Sequence, residues 1–244
     1  DRDSHGDLYF PISVAAVFVI SNGNPLLFCL PVLILTLADA TAALIGLRYG
    51  VSRYQTTEGK KSIEGSAAFF GVTFLSVLLV LLMFTQVGRV ESVLIAFMLG
   101  LLVMMLEAIA WLGLDNLFIP LGGFILLKTY LTLTTAALSL NLVVILLLLL
   151  VTLVFRKRSE LDTSAVMAVV LTLYLIWATA GWPWLVAPLI VFVSYRWLLP
   201  EGLQGFAKTD GSPQQHNAHA VVSVTAPGLV WLVLSESFPL TAGL

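Results

Sequence analysis

Residues 66–86 read SAAFFGVTFLSVLLVLLMFTQ, a run without one charged side chain. A helix needs about 20 apolar residues to cross a hydrocarbon layer ~30 Å thick, and this run lacks the period-2 alternation of a membrane barrel strand. It reads as a transmembrane helix. Similar runs recur along the chain and predict spans near 8–21, 25–47, 66–86, 91–113, 117–134, 137–155, 164–180 and 183–199, with a ninth near 220–234. The predicted fold is all-α, a polytopic transmembrane helix bundle of about eight spans, nine if the last run inserts.

Composition agrees. Hydrophobic residues make up 59% of the 244 positions and charged residues 11%, with a mean hydropathy of +1.00. A soluble domain carries about 25% charged residues. The net charge of −2 and the lack of a basic patch interleaved with aromatics argue against nucleic acid as a partner. Membrane lipids are the expected surroundings, and oligomeric state is not readable. The single cysteine, Cys29, lies inside an apolar stretch and excludes both a disulfide framework and a thiolate cluster. His5, His216 and His219 fall in polar segments and read as solvated loop residues. The chain begins at Asp1 without an initiator methionine and ends on an apolar run, which predicts a piece of a longer protein.

The connection at 48–64 holds Arg48, Arg53, Lys60 and Lys61, so the positive-inside tendency places it in the cytoplasm. Alternation then puts the turn at 86–89 outside, Asp115-Asn116 inside, 134–135 outside and Arg156-Lys157-Arg158 inside. A second basic cluster thus lands on the same side. Counting backward places 22–24 outside and 1–7 inside; counting forward makes 181–184 an outer turn and returns 201–219 to the cytoplasm.

This topology sorts the ionisable residues. Asp39 stands about 12 Å before the basic loop at 1.5 Å per residue, and Glu107 a similar distance before Asp115. A carboxylate inside a span costs at least ~2.5 kcal/mol on insertion scales, so both are candidates for a functional site. Arg48 and Arg53 read equally well as topology signals. Lys128 falls near mid-span, where it partners an acid, snorkels to an interface, or shows the boundaries to be wrong. Ala42, Gly46 and Gly50 recur every four residues, a spacing that lets another helix backbone approach closely.

The stretch Ala38-Asp39-Ala40-Thr41-Ala42-Ala43-Leu44-Ile45-Gly46-Leu47-Arg48-Tyr49-Gly50 is followed by Gly59-Lys60-Lys61-Ser62-Ile63-Glu64-Gly65-Ser66. An acid able to hold Mg²⁺, glycines and paired ammonium groups are what a nucleoside triphosphate requires. No Walker-type or protein-kinase glycine loop is present.

These residues resemble the polyprenol kinase family, which includes dolichol, phytol and farnesol kinases. The resemblance has four parts: Ser4-His5-Gly6-Asp7-Leu8-Tyr9-Phe10-Pro11, the element from Asp39 to Gly50, the loop from Lys60 to Ser66, and Glu107-Ala108-Ile109 followed by Asp115-Asn116-Leu117-Phe118-Ile119-Pro120. It covers residues 1–155, a kinase-like transmembrane domain whose first helices would precede Asp1. Residues 156–244 carry no motif and read as added helices with a polar cytoplasmic loop.

The resemblance implies transfer of the terminal phosphoryl group of CTP, or another nucleoside triphosphate, to an isoprenoid alcohol. It implies a multi-pass membrane enzyme using Mg²⁺ on the cytoplasmic face. Carried over, Asp39 holds metal or orients the reacting hydroxyl. Lys60, Lys61, Ser62, Gly65, Gly46 and Arg48 hold donor phosphates, and Glu64 completes the metal site. Glu107 and Asp115 act as second metal contact or general base, while Asn116 and Pro120 shape the turn.

Two other readings compete. A CTP-dependent phosphatidate cytidylyltransferase also joins an intramembrane Asp to a Lys-Lys loop, but its closing Lys-Asp and His-Gly-Gly signature is absent. A proton- or ion-coupled transporter would explain buried acids, yet these lie toward one face and no inverted repeat is seen.

Overall fold

The computed structural model describes residues 6–56, 59–159, 163–186, 190, 221, 222 and 225. It divides into two compact units, Asp1–Leu147 and Leu148–Leu244. Elements in the first unit are α1 (Gly6–Ile20), α2 (Pro25–Leu33), a π turn (Ile34–Ala38), α3 (Asp39–Tyr49), β1 (Arg53–Thr56), β2 (Gly59–Ser62), α4 (Ile63–Phe84), α5 (Arg89–Ile109) and α6 (Asp115–Tyr130). Helix α7 (Thr135–Ser159) runs across the division, and the second unit holds α8 (Thr163–Ala180) and a 3₁₀ turn (Trp182–Leu185).

Four helical stretches among the described residues are long and apolar enough to cross a membrane: Pro25–Tyr49, Ile63–Phe84, Arg89–Ile109 and Thr135–Val154. Gly6–Ile20 and Thr163–Thr179 are apolar but shorter, and α6 has 16 residues. Seven of the expected spans therefore appear as helices, but only four have full crossing length. The span expected at 183–199 lies largely outside the described residues, as do the polar segment at 201–219, most of 220–234, and all three histidines.

Three helix ends have a clear local cause. Asn24 caps α2, its Oδ1 accepting from the N–H groups of Leu26 and Leu27 at 3.0 and 3.3 Å, with Pro25 at the first position. Ser62 caps α4 by accepting from the Gly65 N–H at 3.0 Å. Helix α5 stops at Ile109, four residues earlier than expected. Its C-cap Ala110 turns extended (φ −66°, ψ 145°), and beyond it Leu112 and Gly113 take φ of 55° and 78°, left-handed values that keep a right-handed helix from resuming although Trp111, Leu112 and Leu114 are apolar.

Helix α5 is central, with Ile95, Leu99, Leu102, Val103 and Met105 buried. Helix α4 packs on it, where Phe70 meets Phe97 edge-on at 5.4 Å between centroids. Helix α6 packs against α1, α2 and α5. Outward-facing Leu75, Leu79, Met83 and Phe84 on α4, and Val143, Leu147, Leu150 and Val154 on α7, are exposed where a soluble helix would carry polar side chains.

The chain does not run α2 into α3 as one regular rod. Pro31 removes a backbone donor inside α2, and the next turn widens to the π form at Ile34–Ala38. Hydroxyls bond back across this turn, Thr36 within it to the Val32 carbonyl of α2 at 3.0 Å and Thr41 of α3 to the Leu37 carbonyl in the turn at 2.6 Å. Asp39 follows immediately.

Candidate functional site

The basic connection is a hairpin, not an irregular loop. Strands β1 and β2 pair antiparallel in the register Arg53↔Ser62, Tyr54↔Lys61, Gln55↔Lys60 and Thr56↔Gly59. Directly opposed residues share a face and neighbours along a strand alternate. Tyr54 and Lys61 therefore share one face, Arg53, Gln55 and Lys60 the other. The adjacent lysines point in opposite directions.

The Tyr54 face turns inward. Tyr54 is buried, its hydroxyl 2.7 Å from Ser66 Oγ at the start of α4. Burial pushes its pKa up to about 12, so the phenol stays neutral. Lys61 beside it donates from Nζ to Glu107 Oε1 and to the Glu107 carbonyl oxygen, both at 2.6 Å. That carbonyl is available because α5 ends two residues later and leaves its last carbonyls without helical donors. Lys61 thus pairs with a carboxylate and satisfies a helix C-terminus, where cations are favoured.

The hairpin base is tied to α4 as well. Glu64 Oε1 accepts the Ser52 N–H at 3.0 Å, and the Ile63 N–H donates to the Ser52 carbonyl at 2.8 Å. Glu64 Oε2 and Glu107 Oε2 are both buried with no hydrogen-bond partner among the described residues. A buried carboxylate oxygen left unpaired is costly, so each is a place where a cation or donor would be stabilised.

Asp39 is half-buried at the start of α3, and its charged neighbours are Asp115, Glu107 and Lys61. Asp115 opens α6 with Oδ1 accepting the Asn116 N–H at 3.0 Å. Four separate elements thus bring Glu107, Asp115 and Lys61 within electrostatic reach of Asp39. The cluster carries excess negative charge when all three acids are ionised, an arrangement that favours an added cation. Among the described residues no three His, Cys, Asp or Glu side chains form a complete metal cage. A resident all-protein site is not built, whereas one or two carboxylates suffice for a Mg²⁺ ion shared with phosphates.

The remaining sequence candidates lie elsewhere in the same region. Gly46 and Gly65 face one another: a Cβ on Gly65 would lie 3.0 Å from the Ala42 carbonyl oxygen and 3.3 Å from Gly46 Cα. A Cβ on Gly46 would lie 3.1 Å from Ser62 Oγ. The small-residue stripe is the α3–α4 contact. Arg48 is exposed, its guanidinium 5.4 Å from the Tyr49 ring centre, and Lys60 is exposed. Pro120 is buried in α6 and cannot donate to the Asn116 carbonyl four residues back. Lys128 is exposed in the last turn of α6, 5.7 Å from the Phe124 ring, so its mid-span placement came from a misplaced boundary. Cys29 is a free, exposed thiol.

Tyr54, Ser52 and the helix-terminal carbonyl of Glu107 escaped the sequence reading. A signal existed: Arg53-Tyr54-Gln55-Thr56 and Gly59-Lys60-Lys61-Ser62 are separated by two residues, and the first alternates exposed and buried positions.

Over 124 residues the chain is 32% identical to a phytol kinase of Synechocystis sp., a stretch covering 50% of this chain and 53% of the relative. The chain spans about half the length of this curated relative. No protein-family model and no solved structure matches it. The matched half supports a relationship to the polyprenol and phytol kinase family.

Proposed function

We propose, from that kinship, that the chain serves as a multi-pass membrane kinase transferring the terminal phosphoryl group of CTP, or another nucleoside triphosphate, to an isoprenoid alcohol. The observation that carries this reading is the meeting of Asp39, Lys61, Glu107 and Asp115 at one end of the first unit. By the positive-inside tendency of the basic hairpin, that end faces the cytoplasm, where nucleotide is present.

The chemistry asks little of covalent catalysis. The alcohol oxygen bonds to the terminal phosphorus as the bond to the bridging oxygen breaks, a nucleoside diphosphate leaves, and the hydroxyl proton passes to a carboxylate. Asp39 would orient the hydroxyl, with Glu107 and Asp115 as the other candidate bases. Lys61, held by Glu107, supplies positive charge for the transferring group. Mg²⁺ bound with the donor would neutralise phosphate charge, and Asp39 with the unpaired oxygen of Glu64 are the residues offered to hold it. Ser62, Gly46 and Gly65 then serve the phosphates indirectly, by fixing the α3–α4 junction beneath them.

The test is to incubate membranes containing the full-length protein with labelled CTP, ATP, GTP or UTP and a panel of isoprenoid alcohols. Mg²⁺-dependent formation of a lipid monophosphate is expected, lost in Asp39→Ala and in Lys61→Ala. Undiminished product in both variants would remove the proposed site. Release of pyrophosphate with phosphatidate as acceptor would replace the kinase by a cytidylyltransferase.

A further inference from the structure

We infer that the outward face of the hairpin, carrying Arg53, Gln55 and Lys60, is a seat for anionic lipid headgroups of the membrane that the chain crosses.

Three observations place it there. The register separates the two hairpin faces, and the outward one is exposed at Arg53, Gln55 and Lys60. Among the described residues neither Arg53 nor Lys60 has a carboxylate partner, whereas Lys61 one position on is paired with Glu107. Large apolar side chains also surround both roots of the hairpin: Leu47 is 85% exposed, Val51 86% and Ile63 58%.

Such side chains at the ends of spanning helices lie stably in hydrocarbon or at its edge, not in water. Tyr49, 59% exposed beneath the Arg48 guanidinium, is the amphipathic aromatic that favours the same level. The apolar skirt therefore sets the depth, and the hairpin projects from it into the headgroup layer. Cations held there without a carboxylate partner among the described residues are attracted to net negative headgroups over zwitterionic ones. The segregation has a use within the fold: Lys61 is spent inside, so Lys60 and Arg53 remain available outside. This inference does not depend on the kinase reading.

The test reconstitutes the full chain in phosphatidylcholine bilayers containing trace spin-labelled phosphatidylglycerol or spin-labelled phosphatidylcholine. The readout is the fraction of each label immobilised at the protein surface. Immobilised phosphatidylglycerol should exceed phosphatidylcholine about twofold, since each cation near an anionic surface contributes on the order of one tenfold unit or less and the rest of the lipid shell dilutes it. The ratio should fall toward one in R53Q/K60Q and in about 0.5 M salt, which shortens the screening length to a few Å. Both substitutions are at exposed positions, and an unchanged melting profile checks folding. Equal immobilisation by the native chain would overturn the inference, as would an unchanged ratio in R53Q/K60Q. Displacement of the labelled lipid by millimolar inorganic phosphate would also overturn it, assigning the face to a free anion. So would a weaker CTP-induced rise in melting temperature in K60Q with the lipid ratio intact, which would return Lys60 to the nucleotide.

Discussion

Helix α5 carries a glutamate near each end, and the two live differently. Glu91, in its first turn, accepts a hydrogen bond from the Thr135 hydroxyl at the surface. There an acid is favoured by the helix N-terminus and costs nothing to hydrate. Glu107, in the last turn, is buried, sits at the unfavourable end of the helix dipole, and keeps one oxygen without a partner. Lys61 reaches across from the hairpin to hold it. One side chain settles an element end; the other is tolerated against local electrostatics, and that cost marks it as the functional candidate.

The contrast can be broken most directly by activity. Glu107→Gln is expected to lower lipid phosphorylation by about 100-fold or more, the scale of a lost acid–base or charge-positioning group, while Glu91→Gln stays within about twofold. Product formation from labelled nucleotide in matched membranes measures both, and equal losses would erase the distinction.

Stability sharpens the same comparison. Lys61→Met leaves Glu107 charged and buried, and should cost about 3 kcal/mol, as for removing one partner of a buried pair. Lys61→Met combined with Glu107→Leu should recover much of that loss, because no charge is stranded. Denaturant unfolding in micelles measures the three variants. A double variant as weak as the single one would mean that the lysine works by packing alone.

A smaller effect separates the hairpin end of α4 from its middle. Gly65→Ala pushes a methyl to 3.0 Å from the Ala42 carbonyl oxygen and the Ser62 hydroxyl, and should cost about 1–3 kcal/mol. Gly71, six residues on, has nothing within 4 Å of the same position, so Gly71→Ala should be neutral or slightly stabilising. The same unfolding measurement reads both, and equal behaviour would argue that α3 and α4 do not meet closely.

The helices were legible because apolar runs long enough to span are a coarse, redundant signal. Their ends were not. Hydropathy counted Ala110, Trp111, Leu112 and Gly113 into this span, whereas the extended backbone at Ala110 ends α5 at Ile109, which moves Glu107 from two turns inside the helix to its last turn. The π turn before Asp39 leaves no mark in hydropathy at all. The candidate acids could be named because charge inside apolar sequence stands out, but the different directions of Lys60 and Lys61 depend on strand alternation. Reading residues 48–64 as a plain connection concealed it. The stripe Ala42, Gly46, Gly50 was correctly read as close helix packing, since only small side chains permit it.

The approach of Gly46 to Gly65 also bears on traffic. At that level the space beside Gly65 is closed to a single methyl group by the Ala42 carbonyl oxygen and Gly46 Cα, so no hydrocarbon tail can slide between α3 and α4 there. Under the proposed activity, a greasy substrate bound for Asp39 has to come through a different seam of the bundle, and the search for its doorway starts on the sides of Asp39 turned away from that contact.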